Sequence, residues 1–388
     1  MASRPSPTAC TLSWSYPDKA MKNPFSKQNS STPGLFQGRT AFSAALLLLL
    51  LALPLSLLAA VTFGTTSLQV GDVYTVIRWE LAHLILGQPI PEEWAAGTAL
   101  HDVVWYIRLP RLVLAAAVGT CLSLCGVAMQ AVVKNPLADP YILGISSGAN
   151  LGVTLAVLLG VGSALGGNYV GVAAFLGALG VSFAVIALAN VGGRANSVKL
   201  LLAGSALSAV CGAFSSFLVY LRNADHAATE VMRWTMGSLS AANWSNNGVM
   251  LLVALGGTVF FLTQSRTLNL MLLGDDAAIT LGTDLHGFRI LYLVISSLMV
   301  GFAVYSAGVI GFVGLVIPHV VRLLLGTDHR KMIPVSALAG ALFLVWADVL
   351  CRTILPGNEI PIGILTSILG APVFIYLMAR RRYGFGGG

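Results

Sequence analysis

The chain has 388 residues, 56% hydrophobic and only 10% charged, whereas a soluble domain carries about 25% charge. That balance, with many apolar runs near 20 residues, excludes an ordinary soluble domain and predicts an all-α polytopic membrane protein. The net charge of +7 marks no nucleic-acid surface, because the Lys and Arg are scattered rather than gathered into a stripe.

Residues 1–40 are polar, rich in Ser, Pro, Lys and Asn, and read as a disordered cytoplasmic tail. The next run, AFSAALLLLLLALPLSLLAAVTFG, is longer than a signal-peptide core and reads as a retained first span. Ten transmembrane helices are expected near 41–63, 111–132, 141–161, 168–190, 199–221, 246–264, 287–306, 308–325, 333–354 and 362–380. Residues 41–382 form this transmembrane domain, and 383–388 a short tail. An N-terminus in the cytoplasm gives 16 Lys and Arg on the inner side and 6 on the outer. The positive-inside rule thus favours both termini inside. Outer segment 64–110, with Asp72, Glu80, Glu92, Glu93 and Asp102, reads as acidic and solvated. Outer segment 222–245 carries Trp234 and Trp244 and reads as an interfacial helix.

Span 3 carries Gly144, Gly148 and Gly152 at helical spacing, and span 5 carries Gly204, Ser208, Gly212 and Ser216. Such stripes let helix backbones approach closely, and the hydroxyls also suit a weakly polar path. Cys121 and Cys125 share a helix face as small packing residues. The glycines of 160–167 read as a flexible loop. No phosphate-cradling GxxxxGK[ST], HExxH, GxSxG or metal-type CxxC is present, so no enzyme activity and no bound cofactor or metal is expected. Asp348 and Arg352 lie four residues apart in span 9, where they can pair. His319 follows Pro318 in span 8 and reads as structural. No span holds a chain of acids fit for a proton relay, which counts against the alternative, an ion-coupled secondary transporter.

Between spans 6 and 7 lies LNLMLLGDDAAITLGTDL, residues 268–285, too polar to cross a bilayer. Thr267 is expected to cap a short helix ending at Gly274, and Asp275 a second one running to Gly282. Asp276 in the first turn suits the positive helix terminus, and Thr283-Asp284 signal entry to span 7. Helices this short are marginal alone and need something to pack on.

Three stretches carry a family resemblance: RLPRLVLAAAVGTCLSLCGVAMQAVVKNPLADPYILGISSGANLG, GFVGLVIPHVVRLLLGTDHRKMIP and NEIPIGILTSILGAPVFIYLMARR. Over about residues 65–382 the chain resembles the FecCD family, permeases of binding-protein-dependent ABC importers for iron–siderophores, haem and vitamin B12. The resemblance implies the vitamin B12/ferric-siderophore permease fold, in a homodimer or a heterodimer of close paralogues, in the bacterial inner membrane. It also implies an extracytoplasmic binding protein docked outside and two ATPase subunits, using ATP and Mg, docked inside. Matched positions put binding-protein docking on Arg108, Arg111 and Arg352, and the translocation path on Gly204, Ser208, Gly212 and Ser216. They put the cytoplasmic gate on Asn135, Pro136 and Leu137 with Asn196 and Ser197. ATPase coupling falls on Gly274, Asp275, Asp276, Ala277, Ala278, Leu281 and Gly282, with Ala277, Ala278 and Leu281 as the apolar contact. Ferric siderophore is the first substrate expected, haem the second and cobalamin the third.

Overall fold

The computed structural model describes residues 38–64, 66–161, 168–222, 225–355 and 357–380. Residues 1–37 and 383–388 of the expected tails, and most of the loop at 160–167, lie outside the described residues.

Helices α1 (Arg39–Ala60) and α2 (Val70–Leu86) come first. A short α3 (Ala99–His101) then runs through a π-helical stretch, Asp102–Arg108, into α4 (Leu109–Val133). Next are α5 (Ile145–Leu159), α6 (Tyr169–Asn190), α7 (Ser197–Arg222) and α8 (Asp225–Thr235). The chain continues through α9 (Trp244–Thr263), α10 (Ser265–Leu273), α11 (Asp275–Thr280) and α12 (Leu285–Ala307). It closes with α13 (Val313–Leu325), α14 (His329–Thr353) and α15 (Ile362–Arg380). Among the described residues, seven helices are long and apolar enough to cross a membrane; α5, α13 and the apolar part of α15 are shorter.

α4 is the centre of the bundle. It packs against α9, α12, α13 and α14. Its Ala, Gly, Ser and Cys positions explain why it can be surrounded: small side chains let neighbours come close on every face. Gly119 meets the backbone of Gly340 in α14, and Gly126 meets the backbone of Gly314 in α13. Cys121 and Cys125 are buried among these contacts. The expected stripe in α5 behaves the same way, with Gly148 against Gly177 and Gly152 against Ala173 of α6. α1 lies at the perimeter against α14 and buries little of its apolar surface.

Two spans start later than their sequences predict. The expected span 8 begins at 308, but α13 begins at Val313, after a break bounded by positive φ at Gly308 (67°) and Phe312 (67°). The expected span 3 begins at 141, but Lys134–Gly144 stays largely non-helical up to α5. At 13 residues α13 is about 20 Å long, short of the roughly 30 Å hydrocarbon core. Irregular backbone at that depth is tolerated only where protein covers it, and here the two breaks cover each other. Tyr141 Oη accepts from the Ile310 backbone N–H at 3.2 Å. Asp139 Oδ1 accepts from Tyr141 N at 2.8 Å, and Asn135 Oδ1 from Leu137 N at 2.9 Å. Ser238 N donates to Ala307 O at 2.9 Å, tying the turn after α8 to the second break.

The segment 64–110 corrects another expectation. It is largely helical rather than simply solvated, and Glu80 is buried with its carboxylate on His101 Nε2 at 2.5 Å. The segment 222–245 contains a helix, α8, and Trp244 Nε1 donates to Trp105 O at 2.9 Å.

Candidate functional site

The two short helices between α9 and α12 are present, with the first cap displaced from Thr267 to Gln264 and the second from Asp275 to Gly274. α10 starts at Ser265, so Thr267 lies inside it rather than capping it. α11 starts at Asp275, so the residue before it is Gly274, with φ 102°. Asp284 caps α12 as expected, accepting from His286 N at 3.0 Å.

Each short helix is held differently. α10 buries Leu268 and Met271 and is bolted to the start of α14 through Asn269. The Asn269 amide donates to Asp328 Oδ1 at 2.9 Å, and its oxygen accepts from His329 N at 2.9 Å. α11 packs on α10 and α12. Ala278 is completely buried, which corrects its expected place on a contact face. At about 100° per residue, turning Ala278 inward turns its neighbours outward. Ile279 (55% exposed) and Leu281 (64%) project instead, as does Leu273 (63%) from the end of α10. Asp276 and Gly282 are exposed, while Gly274 and Ala277 are half-buried.

Asp275 reaches back into the bundle. Its Oδ1 pairs with Arg289 Nη2 at 2.8 Å and with Lys134 Nζ at 3.5 Å. Burial pushes its pKa up, but the charges of Arg289 and Lys134 outweigh this and hold the carboxyl below its usual range. Arg289 also donates through Nη1 to Ala195 O at 3.1 Å.

The expected gate segments lie together at this same end. Asn135, Pro136 and Leu137 are half-buried just after α4. Ser197 opens α7, and its Oγ donates to Val133 O at 2.7 Å, joining the two segments directly. Asn196 is exposed and caps α7 by accepting from Lys199 N at 2.8 Å. Sequence reasoning missed Lys134, Arg289 and Asn269 as connectors. Its only signal for the two cations was charge on the inner side.

The α7 stripe divides. A side chain at Gly204 would strike Ile142 O, and Ser208 Oγ accepts from Ser147 Oγ at 2.9 Å. Gly212 is half-buried and Ser216 exposed. An i, i+4 row drifts by about 40° per step, so the two ends of this stripe meet different surroundings. Ser208 lines an open hollow of about 410 Å³ with Tyr141, Ser146, Ser147, Asn150 and Thr235. The face of α7 that stays open carries Ser205, Ala209, Ala213 and Phe217.

The FecCD transport family model matches residues 36–380. The chain belongs to the FecCD transport family. It is 42% identical over 294 residues, 74% of this chain and 87% of the relative, to the hemin transport system permease protein HmuU of Yersinia pestis. It is 39% identical over 331 residues, 85% of this chain and 86% of the relative, to the cobalamin import system permease protein BtuC of Halobacterium salinarum. A solved inward-facing metal-chelate type ABC transporter superposes with a TM-score of 0.70 at 29% identity, covering 88% of this chain and 100% of that one.

The arginines expected on the outer side of this FecCD permease are not free for docking as the resemblance implies. Arg108, Arg111 and Arg352 are all buried and engaged inside the chain. Arg108 donates to Val61 O at 3.0 Å and Thr62 O at 3.1 Å. Arg111 pairs with Asp348 at 2.7 Å and with the half-exposed Glu359 at 2.8 Å. Arg352 pairs with Asp348 at 3.0 Å, as the spacing predicts, and donates to Phe63 O at 3.1 Å. The three cations clamp the end of α1, α4 and α14 together rather than presenting a free guanidinium to an outside partner. The reason is the carboxylate of Asp348, which is buried between two of them.

Proposed function

We propose that this FecCD-family chain is the permease subunit of an ATP-driven importer. It carries a bulky iron chelate inward by alternating access, with ferric siderophore first and haem or cobalamin next. The observation that carries the reading is the α10–α11 pair: two helices too short to stand alone, with Ile279, Leu281 and Leu273 exposed and no nucleotide-binding motif in the chain. Exposed apolar residues on a well-held helix pair suit a protein partner. In this reading the partner is an ATPase subunit, two per complex, consuming ATP and Mg on the cytoplasmic side. Gly274, Asp275, Asp276, Ala277, Leu281 and Gly282 belong to that coupling face, and Asn135, Pro136, Leu137, Asn196 and Ser197 to the gate it drives. The small-residue face of α7 lines the path and meets a second copy of the chain, or a close paralogue, at a shared axis. An extracytoplasmic binding protein delivers substrate to the opposite face. Both chain termini lie in the cytoplasm of a bacterial inner membrane. The relatives named for hemin and cobalamin support the substrate class.

The ion-coupled alternative would need a free intramembrane acid. Asp348, the buried acid of α14, is instead paired with both Arg111 and Arg352.

The double substitution Ile279→Glu with Leu281→Glu is expected to abolish co-purification with the ATPase. ATP-driven uptake should fall by at least roughly tenfold while the permease dimer stays intact, since losing buried apolar anchors costs an interface about 2 kcal/mol or more. Affinity chromatography followed by vesicle uptake reads both effects. Unchanged ATPase binding would remove this face from the contact.

A further inference from the structure

Asp275 stands where the coupling pair and both gate segments meet. One of its partners, Lys134, directly precedes Asn135-Pro136-Leu137. Its other partner, Arg289, also holds the carbonyl of Ala195, directly before Asn196-Ser197. One carboxylate therefore touches the cation of one gate segment and, through one guanidinium, the backbone of the other.

Among the described residues, no other ion pair or side-chain hydrogen bond links α11 to these segments. Between α11 and residues 194–196 lies a cavity of about 170 Å³, lined also by Asp275, Asp284, His286 and Arg289. The link across this gap is thus made by charges rather than by close packing. The neighbouring pair, Arg194 with Asp284 at 3.2 Å, is exposed and makes no contact with Lys134. α10, by contrast, is fixed through Asn269 to α14, which packs on the central α4. Gly274, at φ 102°, separates the anchored helix from the linked one. Lys134 itself holds φ 56°, a conformation uncommon for a side-chain-bearing residue, and so keeps its ammonium over Gly274 at the end of α4.

We propose that Asp275 is the joint that transmits movement of α11 to both gate segments: to 135–137 through Lys134, and to 195–197 through Arg289. The proposal rests on the importer reading and assigns Asp275 a positioning role in it. Of the two ion pairs, the one to Lys134 is partly exposed and adds little to fold stability, and the buried Arg289 keeps Ala195 O as a partner when the other is lost. Their loss should therefore uncouple the machine rather than unfold it.

The test uses the full complex of permease, ATPase and binding protein in proteoliposomes, in a Cys10→Ser background. A reporter cysteine is placed at Leu137 or Asn196. Labelling by a membrane-impermeant maleimide is measured with and without Mg-ATP and vanadate, alongside ATP hydrolysis and uptake of ferric hydroxamate, hemin and cyanocobalamin. Wild-type Asp275 should give severalfold nucleotide-dependent changes at both reporters. Asp275→Asn should remove both changes and lower uptake per ATP about tenfold, with the thermal midpoint within a few degrees of wild type. Asp275→Glu should restore them. Lys134→Gln should silence the Leu137 reporter alone, and this variant decides the matter if Asp275→Asn does not fold. Arg194→Gln should change nothing. Full reporter changes and full uptake per ATP in Asp275→Asn or Lys134→Gln would overturn the proposal while leaving the importer reading intact. A wild-type complex that moves none of the three probes with ATP would overturn both.

Discussion

Asp348→Ala is expected to destabilise the folded permease by about 3–5 kcal/mol, the usual cost of leaving buried charges without their partner. Asp348 is completely buried and receives Arg111 Nε at 2.7 Å and Arg352 Nε at 3.0 Å. Its removal leaves two buried guanidinium groups side by side with one partly exposed carboxylate, Glu359, on Arg111 alone. In detergent, the thermal midpoint should drop by roughly 10 °C and the protein should aggregate on size exclusion. Replacing all three charged residues together with apolar side chains of similar volume should recover much of the loss, because such a triad confers specificity more than net stability. A midpoint unchanged in Asp348→Ala would show that the clamp is not what holds α1, α4 and α14 together.

Gly126→Leu should leave no folded permease to measure. A Cβ at Gly126 would overlap the backbone carbonyl of Gly314, and a backbone cannot rotate aside as a side chain can. α4 and α13 must then separate, and with them the break at 308–312, which rests against Tyr141. Overpacking of this kind costs about 1–3 kcal/mol or more even for one added methylene, and leucine adds several. Gly126→Ala should already reduce the yield of monodisperse protein sharply. Gly180→Ala in α6 is the control, since its Cβ meets nothing within 4 Å. Equal yields from the two alanine variants would contradict this packing.

Long apolar runs made the span order legible, because hydrophobic length is a one-dimensional property. The pair of short helices was legible too, because Gly274 and Gly282 punctuate it in sequence. What is two- or three-dimensional was not. The face of a six-residue helix cannot be read from its few residues, so Ala278 was expected outward and is buried. The partner of Arg111 lies 237 residues away, so a cation on the outer side looked exposed when it is clamped. The prolines of KNPLADP announced a turn, but only Tyr141 meeting Ile310 reveals that the turn is covered by a second break. That break lies in an apolar stretch, GVIGF, which hydropathy alone assigns to a continuous helix.

This chain is proposed to receive energy from an ATPase through α10 and α11. Reconstitution of the permease with the ATPase and binding protein in proteoliposomes tests it most directly, with ferric hydroxamate, hemin and cyanocobalamin as probes. The account predicts uptake of at least one probe that requires Mg-ATP, persists when the proton gradient is collapsed, and disappears with Ile279→Glu/Leu281→Glu. Uptake driven by a proton gradient without ATP, or ATP-driven uptake unaffected by that double substitution, would contradict it.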